Sequence, residues 1–541
     1  MTRTRSQRIS EPSGPGRSWP AARLVAFAGR SAILLGFLML CASAVPARGE
    51  AVPRRPNILV IYADDQSYKT VGCYPESWPW VKTPNIDALA RSGMRFQGAY
   101  LGAWCMPSRA SFLTGRQPHG IQSMRMEGPY PGGTYDPAQC PFWPALLRKE
   151  GYQTAQIGKW HTGNDPGHGR DWDYQVVWNR PKNPDNAGAY YERQLLGFNG
   201  VERWQDGYPA DNYNRWAVEY VKGASRDPNK PWFLWLCHGS IHGPSKPSAR
   251  HKGTYKDAPV PEPIDLLGPW PGRPDYLKGT LAWRRAADGK VRAGSNGEKV
   301  GDEAGEKGKE FADWVRQVNE CVPAIDEGVG QLIAALKETG QLENTLVVYT
   351  ADQGFAMGEH GMRMKIAPYD ANYRSPLIVS MPGRVSAGSV CPQRPNAPDL
   401  IATFFAFAGI SLPSSIHGRD LTPLLKDPAT DWHHPTLYEH TGHDFGNDVA
   451  KVLREGPEEA IYQKVPWYTA VVQDGWKYVR YLQPGVGEEL YDLNTDAAEM
   501  RNLVGRDEHR DRLSAMRAAL TSELKRTDAD AALLPTGKEL P

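Results

Sequence analysis

The chain has 541 residues, 40% hydrophobic and 23% charged, enough for a large globular core with an appended subdomain. Its 63 Lys and Arg nearly cancel its 61 Asp and Glu, for a net charge of +2. Without the first 47 residues, which hold six Arg and one Glu, 57 basic and 60 acidic groups remain, a charge of −3, so no nucleic-acid partner is expected.

An Arg-bearing stretch runs to Arg30, followed by the apolar run Ser31–Leu40 and the small residues ASAVPA. That layout predicts a secretory signal over residues 1–47, with exits after Ala44 or Ala47. Roughly ten apolar residues fall short of the ~20 that span a bilayer. Leu40 is bulky where lipoprotein cleavage before Cys41 needs a small residue. The expected mature protein is exported, periplasmic or extracellular, with no membrane span. Six cysteines follow the signal, Cys73, Cys105, Cys140, Cys237, Cys321 and Cys391, with no C-x-x-C pair. They are too sparse for a disulfide framework.

Residues 54–430 read as one α/β domain. Strands are predicted at Ile58–Ala63, Thr154–Ile157, Trp232–Cys237, Leu346–Thr350 and Leu377–Met381. Helices are predicted between them at Pro84–Ser92, Trp143–Glu150, Tyr213–Lys222 and Ile325–Thr339. Strands alternating with helices imply a mainly parallel sheet sandwiched by helices. Residues 243–310, rich in Pro, Gly and charge, read as a loop insertion of the kind that lines sites. From 431 to 541 the pattern changes to short alternating strands (Thr469–Val472, Tyr478–Tyr481) and a helix over Arg510–Leu524, a smaller C-terminal α+β subdomain.

Four of the strands end in chemistry. NILVIYA runs into Asp64-Asp65, NTLVVYTA into Asp352-Gln353, TAQIG into Lys159 and His161, and WFLWLCH leads to His242. Ligands of open α/β sheets bind outside the carboxyl ends of strands. Three carboxylates and an amide are hard oxygen donors, suited to one Ca²⁺ or Mg²⁺ rather than zinc. Cys105, in WCMPSRASFLTGRQP, falls at the start of a helix opened by Pro107. A low-pKa thiolate there is the plain reading, but a soft thiolate matches a hard-cation site poorly.

Cys105-Met106-Pro107-Ser108-Arg109 followed by Thr114-Gly115-Arg116 resembles the C-x-P-S-R…T-G-R signature of the formylglycine-dependent sulfatases, of the alkaline-phosphatase-like superfamily. PNILVIYADDQ, TPNIDALARSGMRF, GYQTAQIGKWHTG, ADQGFAMGEHGMRMK and ELYDLNTDAAEMRNLV resemble further family landmarks, in the family's order, from Pro56 to Val504. The resemblance implies that a formylglycine-generating enzyme oxidises Cys105 to Cα-formylglycine. Its hydrate is an oxygen nucleophile that attacks sulfur, releases the alcohol and then expels sulfate by re-forming the carbonyl.

Carried over residue by residue, Asp64, Asp65, Asp352, Gln353 and residue 105 hold the cation, and Arg109 steadies the diol. Lys159 and Lys365 clamp the sulfate oxygens. His161 takes the proton that collapses the hemiacetal, and His242 acts with Lys365 on the leaving group. Gln353 stands where the family often has Asn, one methylene further out. His238 rivals His242, and His360 reads as structural support. His433-His434 reads as a solvated loop, while His440 and His443 are loop residues with substrate contact as the alternative. Trp172, Trp178, Trp204 and Trp216 are either core anchors or sugar platforms. The implied substrate is a sulfate ester, with a sulfated glycan favoured. The alternatives are a phosphonate monoester or phosphodiester hydrolase on the same fold and a non-catalytic glycan-binding relic.

Overall fold

The computed structural model describes residues 55–122, 124, 136–268, 270–294 and 309–535. The signal read over residues 1–47 lies outside them. Strand β1 (Asn57–Ala63) is buried along its whole length, as a parallel strand covered on both faces must be. After it come β2 (Met94–Phe96), β3 (Gln153–Trp160), β4 (Tyr174–Asn179), β5 (Gln194–Phe198), β6 (Val201–Gln205) and β7 (Trp232–Cys237). A short hairpin, β8 (Trp283–Arg285) and β9 (Val291–Ala293), lies within the loop-rich insertion. Three more strands follow: β10 (Thr345–Ala351), β11 (Leu377–Ser380) and β12 (Ser389–Cys391).

All of these except the β8–β9 hairpin form one ten-stranded sheet, ordered β12-β2-β11-β10-β1-β7-β3-β4-β5-β6. Its centre, β10-β1-β7-β3-β4, is parallel. Only β11 and β5 run against their neighbours. Alternate residues of β1 feed opposite cores: Ile58, Val60 and Tyr62 join Phe112, Trp143 and Trp235. Leu59 and Ile61 join Tyr213, Leu332 and Tyr349 on the other face. Each large apolar side chain so buried contributes about 1.5–3 kcal/mol.

Two boundaries differ from the sequence reading by three residues or more. Strand β3 continues through Gly158, Lys159 and Trp160, so Lys159 sits on the strand and not after it. Gly158 makes this possible: with φ at +105°, a Cβ there would lie 1.9 Å from the Cys237 carbonyl oxygen. The helix expected at Tyr213 starts at Pro209, because proline is well tolerated in a first helical turn.

A second sheet gathers β13 (Thr436–His440), β16 (Tyr468–Gln473), β17 (Trp476–Tyr481) and β18 (Glu488–Asp492), all antiparallel. Between them, β14 (Ile461–Tyr462) and β15 (Val465–Pro466) make a small hairpin. The helix Arg510–Arg526 closes this subdomain by packing Met516, Leu520 and Leu524 on Leu437, Val471 and Tyr478. The sheet also grips the segment that follows Lys365. Tyr468 Oη donates to the Ile366 carbonyl at 2.5 Å, Tyr438 Oη to the Pro368 carbonyl at 2.9 Å, and Lys477 Nζ to Asp370 at 2.6 Å. Ile366 has φ of +88°, rare for a β-branched residue and sustained only by such surroundings. Among the described residues, no helix is long and apolar enough to cross a membrane.

His119, in the turn Pro118–Gly120, ties to the C-terminal subdomain. Its Nδ1 lies 2.9 Å from Glu439 Oε2 and its Nε2 3.0 Å from the Thr527 carbonyl. Both partners are acceptors, so the imidazolium satisfies both at once. Burial opposes that charge, but Glu439 outweighs it and raises the pKa above 6.5. The stability contributed is therefore complete below the ordinary histidine range and is lost as pH rises through the raised value. We expect the Tm of the parent protein to fall on that alkaline side more steeply than that of His119→Gln. Equal slopes contradict this.

Candidate active site

The register of the parallel strands builds the site. Ala63 pairs with Ala351, so Asp64-Asp65 and Asp352-Gln353 leave the sheet side by side. The chain beyond β7 crosses the end of β1, where Asp64 N–H donates to Ser240 at 3.0 Å and Ile241 N–H donates back to Asp64 at 2.9 Å. This brings His242 in from the next strand, and Lys159 arrives on the strand beyond. Asp65 adopts φ of +57°, a conformation Asp tolerates better than most residues.

Cys105 is the first residue of the helix Cys105–Thr114, after an extended Trp104. Every residue of this helix is buried, and its start is pinned by Ser108, whose Oγ donates to the Asp352 carbonyl and contacts Tyr62 Oη at 3.0 Å. The Cys105 Sγ lies 3.2 Å from Asp64 Oδ1, 3.6 Å from Asp65 Oδ1 and 3.1 Å from Lys365 Nζ. Burial and then Asp64 push its thiol up to about 12. In the metal-free protein the thiol form of this residue therefore prevails.

Asp64, Asp65, Cys105 and Asp352 each present a ligand atom within 4.8 Å of the others. Asp352 is fully buried and Arg109 donates to its Oδ2 from Nε at 3.1 Å and Nη2 at 2.8 Å, while Nη1 reaches the Lys159 carbonyl at 3.3 Å. Burial and the neighbouring Asp64 still raise the Asp352 carboxyl to about 7. For Asp64, burial opposes ionisation, but Lys159, His242 and Arg109 together hold the carboxyl far below its usual range. Gln353 reaches the cluster despite its extra methylene: Nε2 donates to Asp65 Oδ1 and lies 3.7 Å from Cys105 Sγ. Its Oε1 is buried with no hydrogen-bond partner among the described residues. An orphaned amide oxygen beside three crowded carboxylates is what a hard divalent cation would satisfy, so these residues fit such an ion.

The remaining expected residues surround this cluster. Lys159 Nζ donates to Asp64 Oδ2. Lys365 Nζ bridges both oxygens of Asp65, at 2.6 and 2.9 Å. His242 Nε2 faces Asp65 Oδ2 at 3.6 Å, while its Nδ1 contacts the Gly243 carbonyl at 2.8 Å. Burial lowers the His242 pKa to about 4 despite Asp65. His161 lies against Arg180, whose Nη1 is 3.0 Å from its ring nitrogens. Burial, Arg180 and Lys159 hold it well below 6.5, as a neutral imidazole. A cleft of about 600 Å³ opens over Asp65, His242 and Lys365, walled by Phe355, Arg363 and Gln463.

His238 is fully buried near Tyr213, 6.2 Å between rings, so His242 is the histidine of this pair that faces the cluster. His360 contacts Asp265 at 2.7 Å under the ring of Tyr369, away from the ligand atoms. His433 is an exposed loop residue between Asp431 and Asp474, each at 2.8 Å. His440 belongs to β13 and is buried, where the sequence suggested a loop. His443 pairs with Asp444 at 3.0 Å and packs on Tyr462, whose ring stacks on Trp104. Trp172, Trp178 and Trp216 are buried core anchors, and Trp204 is half exposed on the sheet-edge strand β6. The six described cysteines are free. Sequence reasoning missed Tyr190, which stacks on His242, and Arg180; both lie in segments with no motif or periodicity to mark them.

A sheet that delivers carboxylates, lysines and histidines onto a cysteine at a helix start defines a hydrolase centre for anionic esters. The family model described as Sulfatase matches residues 56–410, and that described as N-sulphoglucosamine sulphohydrolase, C-terminal, matches residues 358–527. The chain belongs to the sulfatase family and is a sulfuric ester hydrolase. An N-acetylglucosamine-6-O-sulfatase of Bacteroides thetaiotaomicron is 29% identical over 88% of this chain and 87% of its own. An arylsulfatase of Clostridium perfringens is 26% identical over 87% of this chain and 95% of its own. A solved structure of a protein in complex with its substrate D-glucosamine-2-N,6-O-disulfate superposes with a TM-score of 0.73, at 25% identity, covering 89% of this chain and all of the other.

Proposed function

We propose that this sulfatase removes sulfate from a sulfated sugar of a glycan, with residue 105 as the nucleophilic position. The observation that carries the reading is the meeting of Cys105 Sγ with Asp64, Asp65 and Asp352 within 4.8 Å. Cys105, oxidised to Cα-formylglycine by a formylglycine-generating enzyme, supplies as its hydrate an oxygen nucleophile where the encoded thiol would be inert. One Ca²⁺ or Mg²⁺, held by Asp64, Asp65, Asp352, Gln353 and residue 105, supplies positive charge to the sulfate oxygens.

The chain's own residues do the rest. Lys159 and Lys365 stand on opposite sides of Asp64-Asp65 and clamp the sulfate oxygens through their ammonium groups. Lys365 stays protonated: burial disfavours its charge, but Asp65 outweighs burial and raises its pKa well above the usual value. His242 Nε2 and Lys365 face the bridging oxygen, where a proton must reach the departing sugar hydroxyl. His161, kept neutral, is the acceptor for the proton lost when sulfate is expelled. Arg109 steadies the centre by fixing Asp352. The cleft above them is of a size for a sugar residue, and the signal read at the N-terminus supports export to where sulfated glycans are met.

The experiment is a comparison of hydrolysis of a sulfate ester and a phosphodiester with the same leaving group, alongside 6-O-sulfated glucosamine. We expect the sulfate ester to be turned over faster, and sulfate to be released from the sugar. A faster phosphodiester, or no turnover of either, overturns the reading. Chelation tests the cation: stripping it should abolish turnover and lower the Tm, because an ion bound only by the folded protein stabilises it. A Tm indifferent to added Ca²⁺ and Mg²⁺ contradicts the assigned ligands.

A further inference from the structure

Tyr190 lies on the loop between β4 and β5 and is 4% exposed. Its ring lies parallel to the imidazole of His242, with centroids 4.0 Å apart and planes 4° apart. Lys159 Nζ and the Arg180 guanidinium each lie 5.2 Å from the same ring. Trp178 closes on it edge-first at 4.8 Å. The phenol thus sits between the histidine and the lysine that the reading above assigns to a bound sulfate ester.

Its hydroxyl is the unusual feature. It is buried and has no hydrogen-bond partner among the described residues, while Asp64 and Lys365 are among the charged groups that act on it. Native structures rarely bury a hydroxyl without giving it a partner in some state of the protein. The groups around it converge on an anion, and a neutral phenol offers an anion one directed donor without adding charge.

Resting on the sulfatase reading of the site, we propose that Tyr190 is a catalytic residue whose O–H donates a hydrogen bond to a sulfate oxygen while its ring holds His242 by stacking. The two parts are separable. Tyr190→Phe removes the donor and keeps the stack, whereas Tyr190→Leu removes both.

The test uses the full-length, cation-loaded protein with two readouts, inorganic sulfate binding by calorimetry and turnover of an aryl sulfate across pH. For Tyr190→Phe we expect about tenfold weaker sulfate binding and a roughly 10²-fold lower kcat/KM, with the pH limbs and Tm of the parent. Tyr190→Leu, which also removes the ring stacked on His242, should lose more kcat/KM than Tyr190→Phe, while Tyr190→Phe alone reports the donor. Sulfate binding and turnover in Tyr190→Phe equal to the parent's overturn the donor, as does a parent that binds no sulfate. A parent that binds sulfate but cleaves no sulfate ester fails the proposed function alone, and the binding ratio still decides the role of Tyr190.

Discussion

Cys105→Ala loses sulfate-ester turnover by on the order of 10⁶-fold, to background, while the protein stays folded and still takes up its cation and sulfate. The scale is that of deleting a nucleophile from a hydrolase whose binding groups remain. The substitution removes one atom from a buried position, and the carboxylates, lysines and histidines around it are each held by other contacts. Asp352 keeps Arg109, Asp64 keeps Lys159, and Lys365 keeps Asp65. With the encoded thiol raised to about 12, protein made in a host that does not oxidise Cys105 should be folded and equally inactive. Steady-state turnover with the Tm of each preparation checks this. Substantial activity in Cys105→Ala would remove residue 105 from the chemistry.

Arg109→Ala destabilises the whole domain, by about 3–5 kcal/mol, and abolishes activity with it. Arg109 and Asp352 are both fully buried and paired at 2.8 Å. Removing the guanidinium leaves the Asp352 carboxyl buried beside Asp64 without the donors that satisfy its Oδ2. Arg109→Lys should recover little, since one ammonium cannot serve Asp352 Oδ2 twice and the Lys159 carbonyl as well. Denaturant unfolding of the three proteins measures the effect, and a loss under 1 kcal/mol for Arg109→Ala contradicts it.

The strands β1, β3, β7, β10 and β11 and the position of most site residues were legible because buried strands write themselves as unbroken apolar runs. NILVIYA and NTLVVYTA announce their own ends, and the Asp residues stand just beyond them. The helix that carries Cys105 was legible from Pro107 and Gly115. The outer strands β2, β4, β5, β6 and β12 were not, and other features also escaped. β13 and β18 are short, five residues each, and β13 pairs with the distant β16, so local pattern marks them weakly. The grip of Tyr468 on the Ile366 carbonyl joins residues about a hundred positions apart, and no periodicity encodes such a contact. Tyr190 and Arg180 come from the loop that joins β4 to β5, and no periodicity or motif marks its course.

The division of labour between the sheets explains why the C-terminal subdomain matters to chemistry that lies wholly on the first. Lys365 belongs to a segment whose backbone is strained at Ile366 and held by Tyr468, Tyr438 and Lys477 from the second sheet. The cluster of ligand atoms is set by parallel strands, but the cation opposite it is set by the subdomain.

The central claim is that residue 105 works as an oxygen nucleophile, and mass spectrometry of the peptide spanning it, from protein purified out of its own host, tests this most directly. The account predicts a species in which the thiol-bearing CH₂SH has become an aldehyde, exchanging sulfur and two hydrogens for oxygen, partly hydrated. A quantitative free thiol in catalytically active protein would contradict it.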